Sequence, residues 1–187
     1  MDLLPCIVQD ARTGEVLTLA YMNDEALERT RATGEMWFWS RSRQELWHKG
    51  ATSGNVQRLK ELRFDCDDDA ILALVEPAGP ACHSGERTCF HKGDLHPVAA
   101  EALAVLGRTI ESRRGTDSYT GRLLEDPELV GSKVREEAEE VVRAAREESD
   151  ERVAEEAADV LYHLSVLLAA RGVELPDVYE VLNGRRS

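Results

Sequence analysis

No apolar stretch in this 187-residue chain approaches the roughly 18–20 residues that a membrane span requires. The opening MDLLPCIVQD has neither the basic segment nor the cleavage site of a secretory leader, so the expected location is the cytoplasm. Positive charge is scarce: 23 Lys and Arg stand against 36 Asp and Glu, a net charge of −13. A field of that sign disfavours non-specific binding to nucleic acid or to anionic membrane, and neither is expected as a partner. It does not exclude small anionic substrates, which a local basic pocket or a bound cation can hold. Internal repeats and low-complexity linkers are absent too. What is there, 42% hydrophobic and 32% charged residues, is the composition of a soluble globular chain rather than a disordered one.

The two halves differ. Residues 1–93 carry a net charge of −4 and residues 94–187 a net charge of −9. All four Cys and all three Trp fall in the first half. The shift predicts two domains, 1–93 and 94–187, with the boundary around His91–Leu95. Each is small, and a metal or a partner chain would help it hold a core.

The first half reads as strands. Leu4–Gln9 and Glu15–Met22 flank a Thr13-Gly14 turn and form a plausible hairpin. Asn23 caps a helix that ends near Gly34. Met36–Ser40, Glu45–His48, Val56–Phe64 and Ala70–Glu76 complete about six strands, and their short loops favour antiparallel pairing. The second half changes period. Pro97–Ile110, Ser132–Glu148 and Asp150–Arg171 read as helices, and Leu175-Pro176-Asp177 opens a final short one. The expected fold is therefore a mainly antiparallel β (α+β) metal-binding domain followed by an all-α helical bundle.

Four constellations carry chemistry. Cys66, Cys82 and Cys89 are separated by fifteen and six residues, unlike a zinc knuckle. Spacing alone leaves open three buried free thiols. Three thiolates without an obvious fourth protein ligand also suit a zinc ion with a position open to water. Cys6, on an early apolar strand, reads as packing. Asp65, Asp67 and Asp69 would share one face of an extended segment, with Cys66 on the other. Three converging carboxylates repel one another unless a cation sits among them, and hard oxygen donors suit Mg²⁺. Arg41, Arg43, Lys49, Ser53, Gly54 and Asn55 bring basic, hydroxyl and glycine chemistry to loops, as a phosphate group would need. In the helical half, Glu137 and Glu140 lie before a turn near Ser149, and Glu156 and Asp159 lie after it. An antiparallel hairpin brings the four to similar heights, which again suits Mg²⁺. Glu136 with Glu139 satisfies the first spacing equally well.

Residues 5–93 resemble phosphoribosyl-AMP cyclohydrolase of histidine biosynthesis. The resemblance is carried by TGEVLTLAYMN from Thr13, FWSRSRQELWHKG, TSGNVQ, DCDDDA and ACHSGERTCF, in order along nearly the whole half. It implies zinc on Cys66, Cys82 and Cys89, with Cys66 from one chain and the other two from its dimer partner. It also implies Mg²⁺ on Asp65, Asp67 and Asp69. Residues 103–185 are similar to phosphoribosyl-ATP pyrophosphohydrolase, through SYTGRLL, KVREEAEEVV and EEAADVLYHLSVLL. That likeness selects Glu137 and Glu140 as the paired acids. Two positions depart: Ala51 stands where an acid is expected, and Arg135 where a glycine is expected.

Together the two resemblances imply a bifunctional hydrolase acting on phosphoribosyl-ATP and then on phosphoribosyl-AMP. His83 is the candidate for proton transfer in ring opening, Glu137 and Glu140 are the catalytic acids of the helical half, and Arg122 and Lys133 are candidate phosphate contacts. A homodimer is expected, because the apolar residues of Val160–Leu168 lie on more than one helix face. Two rivals stand beside this reading. One is a zinc nucleotide deaminase fused to a house-cleaning nucleotide pyrophosphohydrolase, although the deaminase His-x-Glu…Pro-Cys-x-x-Cys signature is missing. The other is a non-catalytic, metal-stabilised interaction module.

Overall fold

The structure, a computed structural model, describes residues 3–93 and 99–185. It divides into two compact units, Met1–His96 and Pro97–Ser187. Leu95, Pro97 and Val98, which figure in the expected boundary and in the start of the next helix, lie outside the described residues.

The first unit is strand-rich. Strands β1 (Leu4–Asp10) and β2 (Val16–Met22) form the expected hairpin, with Cys6 opposite Ala20. Helix α1 (Asp24–Thr33) begins where the Asn23 side chain accepts from the Ala26 N–H at 2.9 Å. It ends at Gly34 in the left-handed conformation, whose N–H reaches the Thr30 carbonyl. Strands β3 (Trp37–Ser40) and β4 (Glu45–His48) pair as a separate two-stranded ribbon. Strands β5 (Gln57–Phe64) and β6 (Ile71–Pro77) complete a four-stranded sheet of order β2-β1-β6-β5.

One pairing departs from expectation. Strand β1 runs parallel to β6, with Cys6 opposite Ile71 and Val75 opposite Asp10. The rule of short loops governs sequence neighbours, whereas these two strands are separated by the whole of β2, α1, β3, β4 and β5, ample chain for a crossover.

Alternation decides which side chains enter the core. Cys6 and Val8 of β1, with Ile71, Ala73 and Val75 of β6, face inward against Leu17, Met22, Ala26, Met36 and Phe38. Met36 also joins the ribbon to the sheet. Its N–H donates to the Gln57 carbonyl and its carbonyl accepts from the Lys49 N–H, each at 3.0 Å. That bond carries Lys49 into the interior. Gly50 follows with φ +89, and a Cβ there would come within 2.4 Å of the Val56 nitrogen, so the turn after β4 requires glycine.

The second unit is all-helical: α2 (Ala102–Ser112), α3 (Tyr119–Glu125), α4 (Pro127–Glu147), α5 (Asp150–Ala170) and α6 (Leu175–Gly184). Ile110, Leu123, Leu124, Val130 and Val166 form its core. Two features escape the sequence reading. Helix α3 is a short helix set by its cap, with Ser118 Oγ accepting from the Gly121 N–H at 3.0 Å. Helix α4 starts at Pro127 rather than Ser132, because Asp126 caps it and proline suits its first turn. Gly131 lies inside α4 with nothing near its missing Cβ. Ser149 caps α5 and turns the α4–α5 hairpin at the expected place. Among the described residues, no helix is long and apolar enough to cross a membrane.

Candidate active sites in two separate units

The thiols divide two and one. Cys82 and Cys89 lie close together in an irregular segment after β6, whereas Cys66 is exposed in the β5–β6 turn, its sulfur 3.9 Å from Asp67. Among the described residues, no group of three potential ligand atoms within 4.8 Å of one another includes any of these thiols. The Ser84 hydroxyl donates to the Cys82 sulfur at 3.0 Å and draws this thiol below its ordinary range, and neighbouring Cys89 acts in the same direction. His83 is exposed, its Nδ1 3.9 Å from the same sulfur.

Lys49 is buried beside these thiols. Desolvation pushes its ammonium down, and Cys89 and Cys82 oppose that shift. The sequence reading placed Lys49 among loop residues that face a phosphate. The hydrogen bond of its backbone to Met36 holds it in the interior, at the edge of the ribbon and beside the thiols.

Cys6 differs from the other three. It is fully buried in the core, and burial pushes its thiol from 9.0 up to about 12. In metal-free protein at about pH 8, iodoacetamide is expected to label Cys66, Cys82 and Cys89 and to spare Cys6 until the fold opens. Labelling of Cys6 at the rate of Cys82, read by mass spectrometry of the peptides, would contradict this. The sign of the linkage follows. The unfolded thiol ionises first, so this group removes stability as pH rises from 9.0 towards about 12, at about 1.4 kcal/mol per pH unit.

The aspartates converge, but not for the expected reason. Asp65, Asp67 and Asp69 present oxygens within 4.8 Å of one another. The segment is a tight turn between β5 and β6, not an extended strand. Asp68 takes φ +60, and Asp65 Oδ1 accepts from the N–H groups of Asp69 at 2.9 Å and Ala70 at 3.1 Å. Donation from Ala70 lowers the Asp65 carboxyl, and the neighbouring Asp65 and Asp67 raise that of Asp69. The premise that put Cys66 on the opposite face of a strand is therefore replaced by turn geometry.

The basic residues are dispersed. Arg41 stacks on the Tyr21 ring at 3.8 Å and lines a groove of about 530 Å³ with Trp39 and Trp47. Arg43 pairs with Glu45 at 3.1 Å. Ser53 and Gly54 are exposed and Asn55 half-buried in the turn after Gly50, where the Asn55 side chain packs against Gly79.

In the helical unit, Glu137 from α4 and Glu156 and Asp159 from α5 bring oxygens within 4.8 Å of one another. Glu140 also faces Glu156. Glu136 and Glu139 are exposed, so it is the Glu137–Glu140 register that turns towards α5. Glu156 is 4% exposed, and its carboxyl is raised by desolvation, opposed by Arg152, then raised further by Glu140 and Glu137. Lys133 bonds Glu136 at 2.7 Å, and Arg122 pairs with Asp117 at 3.1 Å.

The sequence reading missed His163 and Tyr119. Buried His163 places Nδ1 3.0 Å from the Asp159 carbonyl and 3.6 Å from Glu137 Oε1, while the Tyr119 hydroxyl lies 3.4 Å from Nε2. A histidine one helical turn after Asp159 was the available signal.

Comparison with known proteins identifies the family. The family profile described as phosphoribosyl-AMP cyclohydrolase matches residues 18–91, and that of phosphoribosyl-ATP pyrophosphohydrolase matches residues 103–186. A protein of Gloeobacter violaceus, called histidine biosynthesis bifunctional protein HisIE, is 54% identical over 98% of this chain and 87% of its own length. The chain belongs to the HisIE family of bifunctional histidine-biosynthesis enzymes. HisIE proteins of Bacillus subtilis and of a Synechocystis species are 50% and 49% identical, over 99% and 98% of this chain and 92% and 89% of theirs. In this HisIE-family chain each profile covers one unit, so the thiols and aspartates fall in the cyclohydrolase half and the helical acids in the pyrophosphohydrolase half. The deaminase fusion and the non-catalytic module are not favoured.

Proposed function

We propose that this chain carries out two consecutive hydrolyses in the cytoplasm. The helical unit cleaves the α–β phosphoanhydride of phosphoribosyl-ATP and releases pyrophosphate. The strand-rich unit then adds water at C6 of the N1-substituted adenine in phosphoribosyl-AMP, and the N1–C6 bond opens. The observation that carries the assignment is the segregation of two unlike donor sets, thiols beside an aspartate cluster in the strand-rich unit and carboxylates alone in the helical unit.

The donors fit the groups assigned to them. Cys82 and Cys89 are adjacent, and the Ser84 hydroxyl bonds the Cys82 sulfur, so the pair suits zinc and needs a third thiol from elsewhere. Cys66 of a second chain is the proposed source in a homodimer. Exposed Leu161 and Val142 in the helical unit offer additional apolar surface for such a partner. Asp65, Asp67 and Asp69 form one oxygen cluster suited to Mg²⁺, and Glu137, Glu140, Glu156 and Asp159 form the other. When bound, zinc supplies water of lowered pKa, and Mg²⁺ supplies positive charge against phosphate oxygens.

The chain's own residues do the rest. His83, whose Nδ1 lies 3.9 Å from the Cys82 sulfur, is proposed to move a proton during ring opening. Glu137 and Glu140 orient the attacking water in the helical unit. Arg122 and Lys133 are proposed to exchange Asp117 and Glu136 for substrate phosphate. Arg41, Arg43, Lys49, Ser53, Gly54 and Asn55 are proposed to hold the phosphoribosyl part in the other unit.

The two donor sets predict two metal behaviours. Thiolate-held zinc is expected to resist mild chelation, whereas carboxylate-held Mg²⁺ exchanges freely. Brief EDTA treatment followed by Mg²⁺ alone should restore pyrophosphate release at once, with protein-bound zinc retained by elemental analysis. Active, freshly purified enzyme lacking zinc would reject the thiol assignment.

A further inference from the structure

The segment that carries Cys82 and Cys89 has no helix or strand of its own. Its internal bonds are those of a turn: Cys82 N–H to the Glu86 carbonyl and Ala81 N–H to the Arg87 carbonyl, both at 3.0 Å. Such a loop does not hold two sulfurs at a fixed separation unless something outside it does. Two attachments run to the start of β2, where the Leu17 carbonyl accepts the Cys89 N–H at 2.8 Å and the Val16 carbonyl accepts the Thr88 hydroxyl at 2.7 Å.

The third attachment is ionic. Arg87 Nη2 donates to Asp10 Oδ2 at 2.6 Å, and its Nε donates to the Glu15 carboxylate. Asp10 is 4% exposed, and its other oxygen accepts the Arg12 N–H at 2.8 Å. A buried carboxylate tied in this way is itself immobile, so it is a fixed point for the loop. Asp10 closes β1 and Glu15 lies just before β2, so one guanidinium spans both ends of the β1–β2 turn. Arg87 sits between the two thiols in sequence, five residues after Cys82 and two before Cys89.

We infer that Arg87, gripped by Asp10 and Glu15, is a positioning residue that fixes the Cys82–Cys89 loop on the β1–β2 hairpin and so slows the loss of zinc from those thiols. The zinc part rests on the function proposed above; the ordering of the loop does not. The fork geometry is essential, since lysine offers one point charge where arginine offers two directed donors.

The test uses the full chain and two readouts. One is amide hydrogen exchange over residues 81–90 in metal-free protein. The other is the rate at which zinc-loaded protein transfers its metal to a chromogenic chelator. Arg87→Gln is expected to speed both by about tenfold or more, the scale on which residues supporting metal ligands act. Arg87→Lys should give a smaller increase in both, and pyrophosphate release by the helical unit should not change. If Arg87→Gln also loosens β5 and β6, Glu15→Ala decides, because it deletes the oxygen that accepts from Nε and leaves the Asp10 bond in place; about threefold faster exchange confined to residues 81–90 is expected. Wild-type exchange over residues 81–90 in these variants would overturn the clamp. Faster exchange with unchanged zinc transfer would overturn its link to the metal. Wild-type protein that retains no zinc would reject the metal assignment, with loop exchange still deciding whether Arg87 orders the segment.

Discussion

Cys82→Ser is expected to lower ring opening by at least about 100-fold and to leave pyrophosphate release intact, while Glu140→Gln does the reverse. The magnitude follows from metal sites in which loss of a supporting residue alone costs about 10–100-fold, so loss of a donor costs no less. The independence follows from the architecture. Cys82 lies in Met1–His96 with its own core of Cys6, Val8, Leu17 and Phe38. Glu140 lies in Pro97–Ser187, whose core is Ile110, Leu123, Val130 and Val166. Neither core contains a residue of the other. Serine keeps the shape of cysteine but is a poor zinc donor, and glutamine keeps the shape of glutamate but lacks its charge. Separate assays with phosphoribosyl-AMP and phosphoribosyl-ATP read the two losses. A folded Cys82→Ser chain that had lost both activities would contradict the division.

Mixing inactive Cys66→Ser with inactive Cys89→Ser under conditions of subunit exchange is expected to restore ring opening. The reason is the geometry of the single chain, in which Cys82 and Cys89 adjoin while Cys66 stands exposed in another turn. If a zinc site takes Cys66 from one protomer and the other two thiols from its partner, each heterodimer holds one site with both lesions and one with none. Recovery should reach up to about half the wild-type rate per heterodimer, from the count of sites. No recovery despite demonstrated exchange would place all three thiols in one chain. The same heterodimers should retain zinc at their intact sites, which separates the return of the metal from the return of catalysis.

Much of this molecule is legible before its structure. Short apolar runs mark the strands at Leu4–Gln9 and Ala70–Glu76, and Asn23 and Gly34 mark both ends of α1 through local bonding alone. The α4–α5 hairpin is equally local, since Ser149 caps one helix where the other ends. What escaped depends on contacts distant in sequence. The parallel pairing of β1 with β6 joins strands about 60 residues apart, and no short-range signal encodes it. The burial of Lys49 depends on Met36 and on Gly50, not on its own neighbours. Asp65, Asp67 and Asp69 were correctly grouped but for the wrong cause, because alternation and a tight turn both bring every second residue together here. His163 went unread because a lone histidine in an apolar helix ordinarily signifies packing. Its meaning emerges only when Glu137 arrives from α4 and Tyr119 from α3.

The central claim is that one chain performs two hydrolyses in a fixed order at two sites of unlike donors. The most direct measurement gives purified, metal-replete protein phosphoribosyl-ATP alone and follows pyrophosphate, phosphoribosyl-AMP and the ring-opened product through time. Pyrophosphate should appear without a lag, phosphoribosyl-AMP should rise and fall, and the ring-opened product should finally equal the pyrophosphate released. Ring-opened material that still carries its triphosphate, or pyrophosphate release with no ring opening from zinc-loaded protein, would contradict the account.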